Sequence, residues 1–270
     1  MKYITFDQHR IAYKTEGKGT PLVLLHGFCE DSFIWDDFKP ALIEAGYSVT
    51  CIDLPGFGSS DLPAEPNIAW IADAVHAVLA EQMNQRALLI GHSMGGYVAL
   101  ALAHKHPERL LGLGLFHSHP YPDSEEKKEA RRRSIEIVQT KGTALYVKQL
   151  IPNLFAEKFS KSSTFVVDKL VHRAAGYAPE GIIAALQAMM NRPDQSDVLQ
   201  RYRNPVLFII GTEDSAVPYD YSMKQTTLPE TASVVVLEEV GHMGMFEARR
   251  KTQQAILQFA DFCVQLAQTA

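Results

Sequence analysis

The sequence predicts an α/β protein: a mostly parallel eight-stranded sheet with helices on both faces and one inserted helical cap. Short apolar runs alternate with stretches of helical periodicity along most of the 270 residues, the rhythm of βα units that build a parallel sheet. Between residues 118 and 201 the rhythm fails, the pattern is helical throughout, and then the alternation resumes. One apolar run also ends in a glycine-flanked serine, Gly91-His92-Ser93-Met94-Gly95, from which an alanine-rich helical pattern departs.

The elements follow in order. Residues 3–6 and 10–13 read as two short strands joined at Asp7-Gln8-His9, a hairpin, and Gly17-Lys18-Gly19-Thr20-Pro21 breaks the pattern. Leu22-Val23-Leu24-Leu25 is continuously apolar, as a strand covered on both faces must be; it ends in His26-Gly27-Phe28. Residues 32–45 carry Phe33, Ile34, Phe38, Ala41 and Leu42 at helical spacing, which predicts one helix stopped by Gly46. The strand over 47–52 runs into the turn-rich Asp53-Leu54-Pro55-Gly56-Phe57-Gly58-Ser59-Ser60-Asp61. Asn67 is placed to cap a helix presenting Ile71, Ala74, Val75, Val78 and Leu79 on one face.

After the serine turn and its helix, residues 110–117 form another apolar strand. The helical insertion then opens with the charge-rich segment 123–133, whose mixed signs predict a solvated face rather than a binding patch. Two apolar clusters follow, one holding Tyr146, Val147, Leu150, Ile151, Leu154 and Phe155, the other Ile182, Ile183, Leu186, Met189 and Met190. Spacing alone leaves core and pocket lining open for both. Strands over 205–210 and 233–237 end in Gly211-Thr212-Glu213-Asp214 and Glu238-Glu239-Val240-Gly241-His242, and a helix over 246–268 closes the chain. The predicted organisation is a core in two halves, 1–117 and 202–270, around a cap at 118–201.

Composition bounds the function. Hydrophobic residues are 46%, charged residues 21%, and the net charge is -5, values of an ordinary globular chain that point to neither nucleic acid nor an anionic membrane as partner. The N-terminal residues lack an apolar signal core and no stretch is long enough to span a bilayer, so a cytoplasmic protein is expected. Cys29, Cys51 and Cys263 are far apart without metal-type spacing, which fits free thiols in a reducing compartment. His104 and His106 end one helix while His117 and His119 leave a strand on the opposite side, so no metal site is expected from them.

Three polar residues stand at the exits of three strands in the order Ser93, Asp214, His242. Catalytic groups gather at the carboxyl ends of strands in parallel sheets, so these can converge. A serine hydroxyl needs a base within hydrogen-bond reach, His242 is the residue type that titrates near neutrality, and Asp214 can fix its tautomer. Glu213 is the rival orienter, and His242 also reads as a helix-start residue, since Gly241 and Gly244 mark a loop. The turn at Ser93 aims the Met94 amide at a developing oxyanion, and Gly27 lets the Phe28 amide approach from the other side. His26 is expected to hold this loop by hydrogen bonds, and the side chains of Phe28 and Met94 to pack at the pocket floor. His117 and His119 are candidate substrate contacts on the pocket wall.

On these motifs the chain resembles the α/β-hydrolase fold family along nearly its whole length. His26-Gly27-Phe28 resembles the oxyanion loop, Gly91-x-Ser93-x-Gly95 the nucleophile elbow, Gly211-Thr212-Glu213-Asp214 with Val217-Pro218 the acid turn, and Gly241-His242 the histidine loop. The resemblance implies a helical lid at 118–201, and a serine at the elbow speaks against the dehalogenases and epoxide hydrolases that carry aspartate there. Asn191-Arg192-Pro193-Asp194 is similar to a segment of enol-lactonases and small-ester hydrolases. The expected activity is cofactor-independent hydrolysis of a small-molecule ester or lactone with a small to medium apolar acyl group. Cleavage of a carbon–carbon bond in a β-diketone is the alternative within enzymes; a slow-turnover ligand-binding or signalling protein is the alternative outside them.

Overall fold

The computed structural model describes residues 1–82 and 85–269; residues 83, 84 and 270 of the two predicted core halves lie outside it. An N-terminal hairpin, β1 (Lys2–Phe6) and β2 (His9–Glu16), turns at Asp7 and Gln8, both at positive φ. The strands β3 (Thr20–Leu25), β4 (Tyr47–Ile52), β5 (Ala87–His92), β6 (Leu110–Phe116), β7 (Val206–Gly211) and β8 (Ala232–Leu237) complete an eight-stranded sheet. Its order is β1-β2-β4-β3-β5-β6-β7-β8. Only β2 runs against its neighbours; every pair from β4 to β8 is parallel.

Apolar continuity and burial agree. Every residue of β5 and β7 is buried, because helices cover both faces of the sheet centre, whereas β8 at the edge alternates and leaves Val234 and Val236 exposed. The helices around the sheet are α1 (Lys39–Glu44), α2 (Ile68–Gln82), α3 (Met94–Lys105) and, beyond β7, α10 (Tyr219–Gln225), α11 (Gly244–Glu247) and α12 (Arg249–Thr269). Asn67 Oδ1 accepts the Trp70 N–H at 2.9 Å, and α2 buries the five predicted residues. Between β6 and β7 lie α4 (Glu125–Lys141), α5 (Thr143–Leu150), α6 (Glu157–Ser162), α7 (Thr164–Ala174), α8 (Pro179–Met190) and α9 (Ser196–Arg201).

Two expected helices differ. Residues 32–45 form a 3₁₀ turn (Ser32–Trp35) and then α1, because Pro40 lacks an N–H and cannot sit inside a helix, yet fits the first turn of a new one. The expected terminal helix is split at Ala248, whose φ of -136° ends α11. Cys29, Cys51 and Cys263 are buried free thiols. Among the described residues no helix is long and apolar enough to cross a membrane.

Register fixes where the polar residues emerge. Leu25 pairs with Gly91, His92 with Phe116, Phe116 with Ile209, and Gly211 with Leu237. The chain therefore leaves β3, β5, β6, β7 and β8 along one edge, carrying His26, Ser93, His117, Asp214 and His242 to it.

Candidate active site

Ser93 joins β5 to α3 with φ 50° and ψ -114°, a region that residues other than glycine rarely occupy. The strand meets the helix so closely that flanking side chains are excluded. A Cβ on Gly91 would lie 2.3 Å from the Gly95 carbonyl oxygen, and one on Gly95 2.6 Å from that of His26. The turn is fastened by the Ser93 N–H donating to the Phe116 carbonyl at 2.9 Å and by Ser118 Oγ donating to the Ser93 carbonyl at 2.8 Å.

His242 stands in the loop after β8, and its Nδ1 lies 2.8 Å from Asp214 Oδ2. A carboxylate only accepts, so Nδ1 carries the proton and Nε2 is left as the basic nitrogen. The other oxygen of Asp214 accepts the N–H groups of Ala216 (2.9 Å) and Val217 (2.8 Å). Burial opposes ionisation of Asp214, but the His242 charge, the hydrogen bond from His242 and the nearby His117 imidazole outweigh it and hold the carboxyl well below the usual range. Of the two candidate orienters it is therefore Asp214, not Glu213, that meets His242.

Ser93 and His242 line one cavity of about 190 Å³. Phe28, Tyr146, Leu154 and Leu186 give it apolar walls. The N–H groups of Phe28 and Met94 have no hydrogen-bond partner among the described residues. His26 donates from Nδ1 to the Gly27 carbonyl at 2.8 Å and accepts the Leu54 N–H on Nε2 at 2.8 Å, which holds the loop carrying Phe28. The Phe28 ring does line the cavity; the Met94 side chain is wholly buried elsewhere in the core.

The two candidate wall histidines lie elsewhere. His117 is buried beneath Asp214, its Nδ1 3.2 Å from Oδ2 without hydrogen-bond alignment, and burial drives its pKa down to about 4. Its strand exit carries a positive φ of 51°, and its ring packs against His92, Phe116 and His242 instead of lining the cavity. His119 packs against Tyr97, Tyr121 and Tyr221, also outside the cavity lining. Ligand atoms of His117, Asp214 and His242 lie within 4.8 Å of one another and can reach a common metal ion, although the last two are already bonded to each other.

Several residues around the cavity carried no readable signal. Glu30 and His92 form a buried pair at 3.0 Å, and Glu30 Oε2 also accepts the Gly27 N–H at 2.6 Å. The Glu247 carboxylate accepts the N–H groups of Gly241 (3.0 Å), Met243 (3.0 Å) and Ala156 (2.9 Å), and so ties the histidine loop to the segment between β6 and β7. The charge-rich segment is not wholly solvated: Glu125, Lys128, Glu129 and Arg132 face water in local pairs, but Lys127 and Arg131 line the cavity. Mixed sign cannot reveal which side of a helix docks. Arg192 is buried, ion-paired to Asp123 at 2.7 Å and stacked 3.9 Å over the Tyr97 ring.

Residues 20–249 match the sequence profile of the α/β-hydrolase fold. The chain belongs to the α/β-hydrolase fold family. It is accordingly a hydrolase. It is 33% identical over 234 residues to the pimeloyl-[acyl-carrier protein] methyl ester esterase of Aeromonas hydrophila, with 84% of this chain and 89% of that protein covered. With the 2-hydroxy-6-oxo-6-phenylhexa-2,4-dienoate hydrolase of Comamonas testosteroni it shares 25% over 269 residues, covering 92% and 90%. Among solved structures it superposes on a thermophilic esterase of Thermogutta terrifontis with malate bound, at a TM-score of 0.89 and 31% identity, with 94% of each chain covered.

Proposed function

We propose that this chain is a cofactor-independent serine hydrolase of carboxylic esters or lactones whose acyl part is largely apolar. The observation that carries the reading is the placing of Ser93 and His242 on one cavity with Asp214 2.8 Å behind the imidazole. Nε2 of His242 takes the Ser93 proton as Oγ attacks the carbonyl carbon. The tetrahedral oxyanion then receives the Phe28 and Met94 amides, donors of a kind whose removal costs ~10²–10³ in rate. His242, now an imidazolium stabilised by Asp214, protonates the departing alcohol; it next activates water to release the acid from the acyl-enzyme. Segment 118–201 acts as the lid, since its helices α4, α5 and α8 supply Arg131, Tyr146 and Leu186 to the cavity. The esterase relatives above favour this chemistry.

The relation to a 2-hydroxy-6-oxo-dienoate hydrolase keeps carbon–carbon cleavage as a second reading. A fluorophosphonate probe tests the serine chemistry. One adduct is expected on the peptide containing Ser93, absent in Ser93→Ala, and hydrolysis of a phenyl ester should exceed that of a matched β-diketone. Labelling elsewhere, or none, contradicts the mechanism.

A further inference from the structure

Helix α4 turns Lys127, Ala130, Arg131 and Ser134 toward the cavity, the positions of a single helical face. Two cations thus stand on the wall of a largely apolar chamber. Arg131 contacts Asp123 through Nε and Nη2, and the same carboxylate receives Arg192 Nη1 at 2.7 Å. One negative charge is therefore shared by two guanidiniums, and Arg131 Nη1 makes no hydrogen bond among the described residues. Lys127 Nζ reaches only the Ala216 carbonyl, at 3.4 Å; no described carboxylate lies within ion-pair distance of it.

Nor do the acids of the site itself cancel these charges. Glu30 is held by the Gly27 N–H and the His92 imidazole, and Asp214 by Ala216, Val217 and His242. Burial foremost, then the cations Arg192, Lys127 and Arg131 against the opposing charge of Asp123, drives the nearby His119 imidazole down to about 3. The Arg131 side chain is only 12% exposed, and a desolvated cation that must share its counter-charge is unfavourable unless something supplies another. In the occupied cavity that something is the ligand.

Building on the ester-hydrolase reading, we propose that the substrate carries a carboxylate, in its acyl or alcohol part, that seats against Lys127 and Arg131. The ester is then the neutral, reacting end of an anionic molecule. Apolar walls take the stretch between the two ends.

Matched pairs test this. Methyl hexanoate and monomethyl adipate differ by a carboxylate on the acyl side; phenyl butyrate and 4-(butyryloxy)benzoate differ by one on the alcohol side. At low ionic strength the anionic member of one pair should have about tenfold higher kcat/KM, mostly through KM, with the preference shrinking as salt rises. The favoured pair tells which side bears the charge. In Lys127→Gln, a change at an exposed position of α4, the anionic-to-neutral ratio should fall about tenfold, and in Lys127→Glu further. Equal or better turnover of the neutral member in both pairs overturns the proposal, as does a ratio that Lys127→Gln leaves unchanged. If none of the four is hydrolysed while a fluorophosphonate still labels Ser93, the proposal fails alone; if Ser93 is not labelled either, the ester-hydrolase reading fails with it.

Discussion

His92 is hydrogen-bonded through Nε2 to the main-chain carbonyl of His242 at 2.9 Å. The strand that presents Ser93 thereby also holds the loop that presents its proposed base. At the other ring nitrogen the partner is Glu30 Oε2, at 3.0 Å. Both partners are acceptors, so the ring carries both protons. Burial alone would favour neutral forms of the pair, but the mutual attraction of Glu30 and His92 prevails, lowering the pKa of the acid and raising that of the base.

Glu30→Gln should therefore destabilise the fold by about 3–5 kcal/mol, the usual result of removing one partner from a buried pair. The sign of the pH dependence follows from the directions. Stability from Glu30 is present above its ordinary pKa of 4.5 and is lost as pH falls through the lowered folded value. Stability from His92 is present below 6.5 and is lost as pH rises through the raised folded value. Urea midpoints of wild type and variant should thus differ most between pH 4.5 and 6.5.

Asp214→Asn keeps an oxygen for the Ala216 and Val217 N–H groups but no longer enforces a proton on His242 Nδ1. We expect a folded protein whose kcat for an ester falls by about 10⁴ with little change in KM. Steady-state kinetics beside a thermal melt separates this result from unfolding.

His117 adds acid sensitivity by a different route from an ion pair, through burial of a neutral imidazole. Burial lowers its pKa from 6.5 to about 4, so the unfolded chain binds a proton that the folded one refuses. Stability should fall as pH drops through that window, by a total on the order of 3 kcal/mol. His117→Asn, which tolerates the positive φ at this position, should flatten the midpoint-versus-pH curve between those limits.

Gly95→Ala would place a methyl group 2.6 Å from the His26 carbonyl oxygen and 2.8 Å from that of Leu25. Backbone cannot yield as a flexible side chain does, so α3 must shift away from β3. A loss of about 1–3 kcal/mol is expected, together with slower fluorophosphonate labelling of Ser93, read by a time course on the purified variant.

Much of the fold was legible because its signals are local. Apolar runs marked the buried strands, Asn67 capped α2, and glycines either side of Ser93 marked a turn that only they allow. Within 32–45 the apolar spacing runs across Pro40, although the proline itself marks the first turn of a new helix. The wall histidines were a different case: His117 and His119 do leave a strand on the cavity side, but His117 packs against Asp214, and His119 against Tyr121 and the sequence-distant Tyr97 and Tyr221.

What the sequence by itself determined was the alternation of strand and helix and the order in which Ser93, Asp214 and His242 leave their strands, since steric and hydrophobic rules act over a few neighbouring residues. Only the tertiary structure decided that Glu30 and His92 lock the site from below, that Glu247 fastens the histidine loop, and that α4 turns Lys127 and Arg131 inward. Those facts depend on register between distant strands and on the rotation of a docked helix, and burial and charge act through space rather than along the chain.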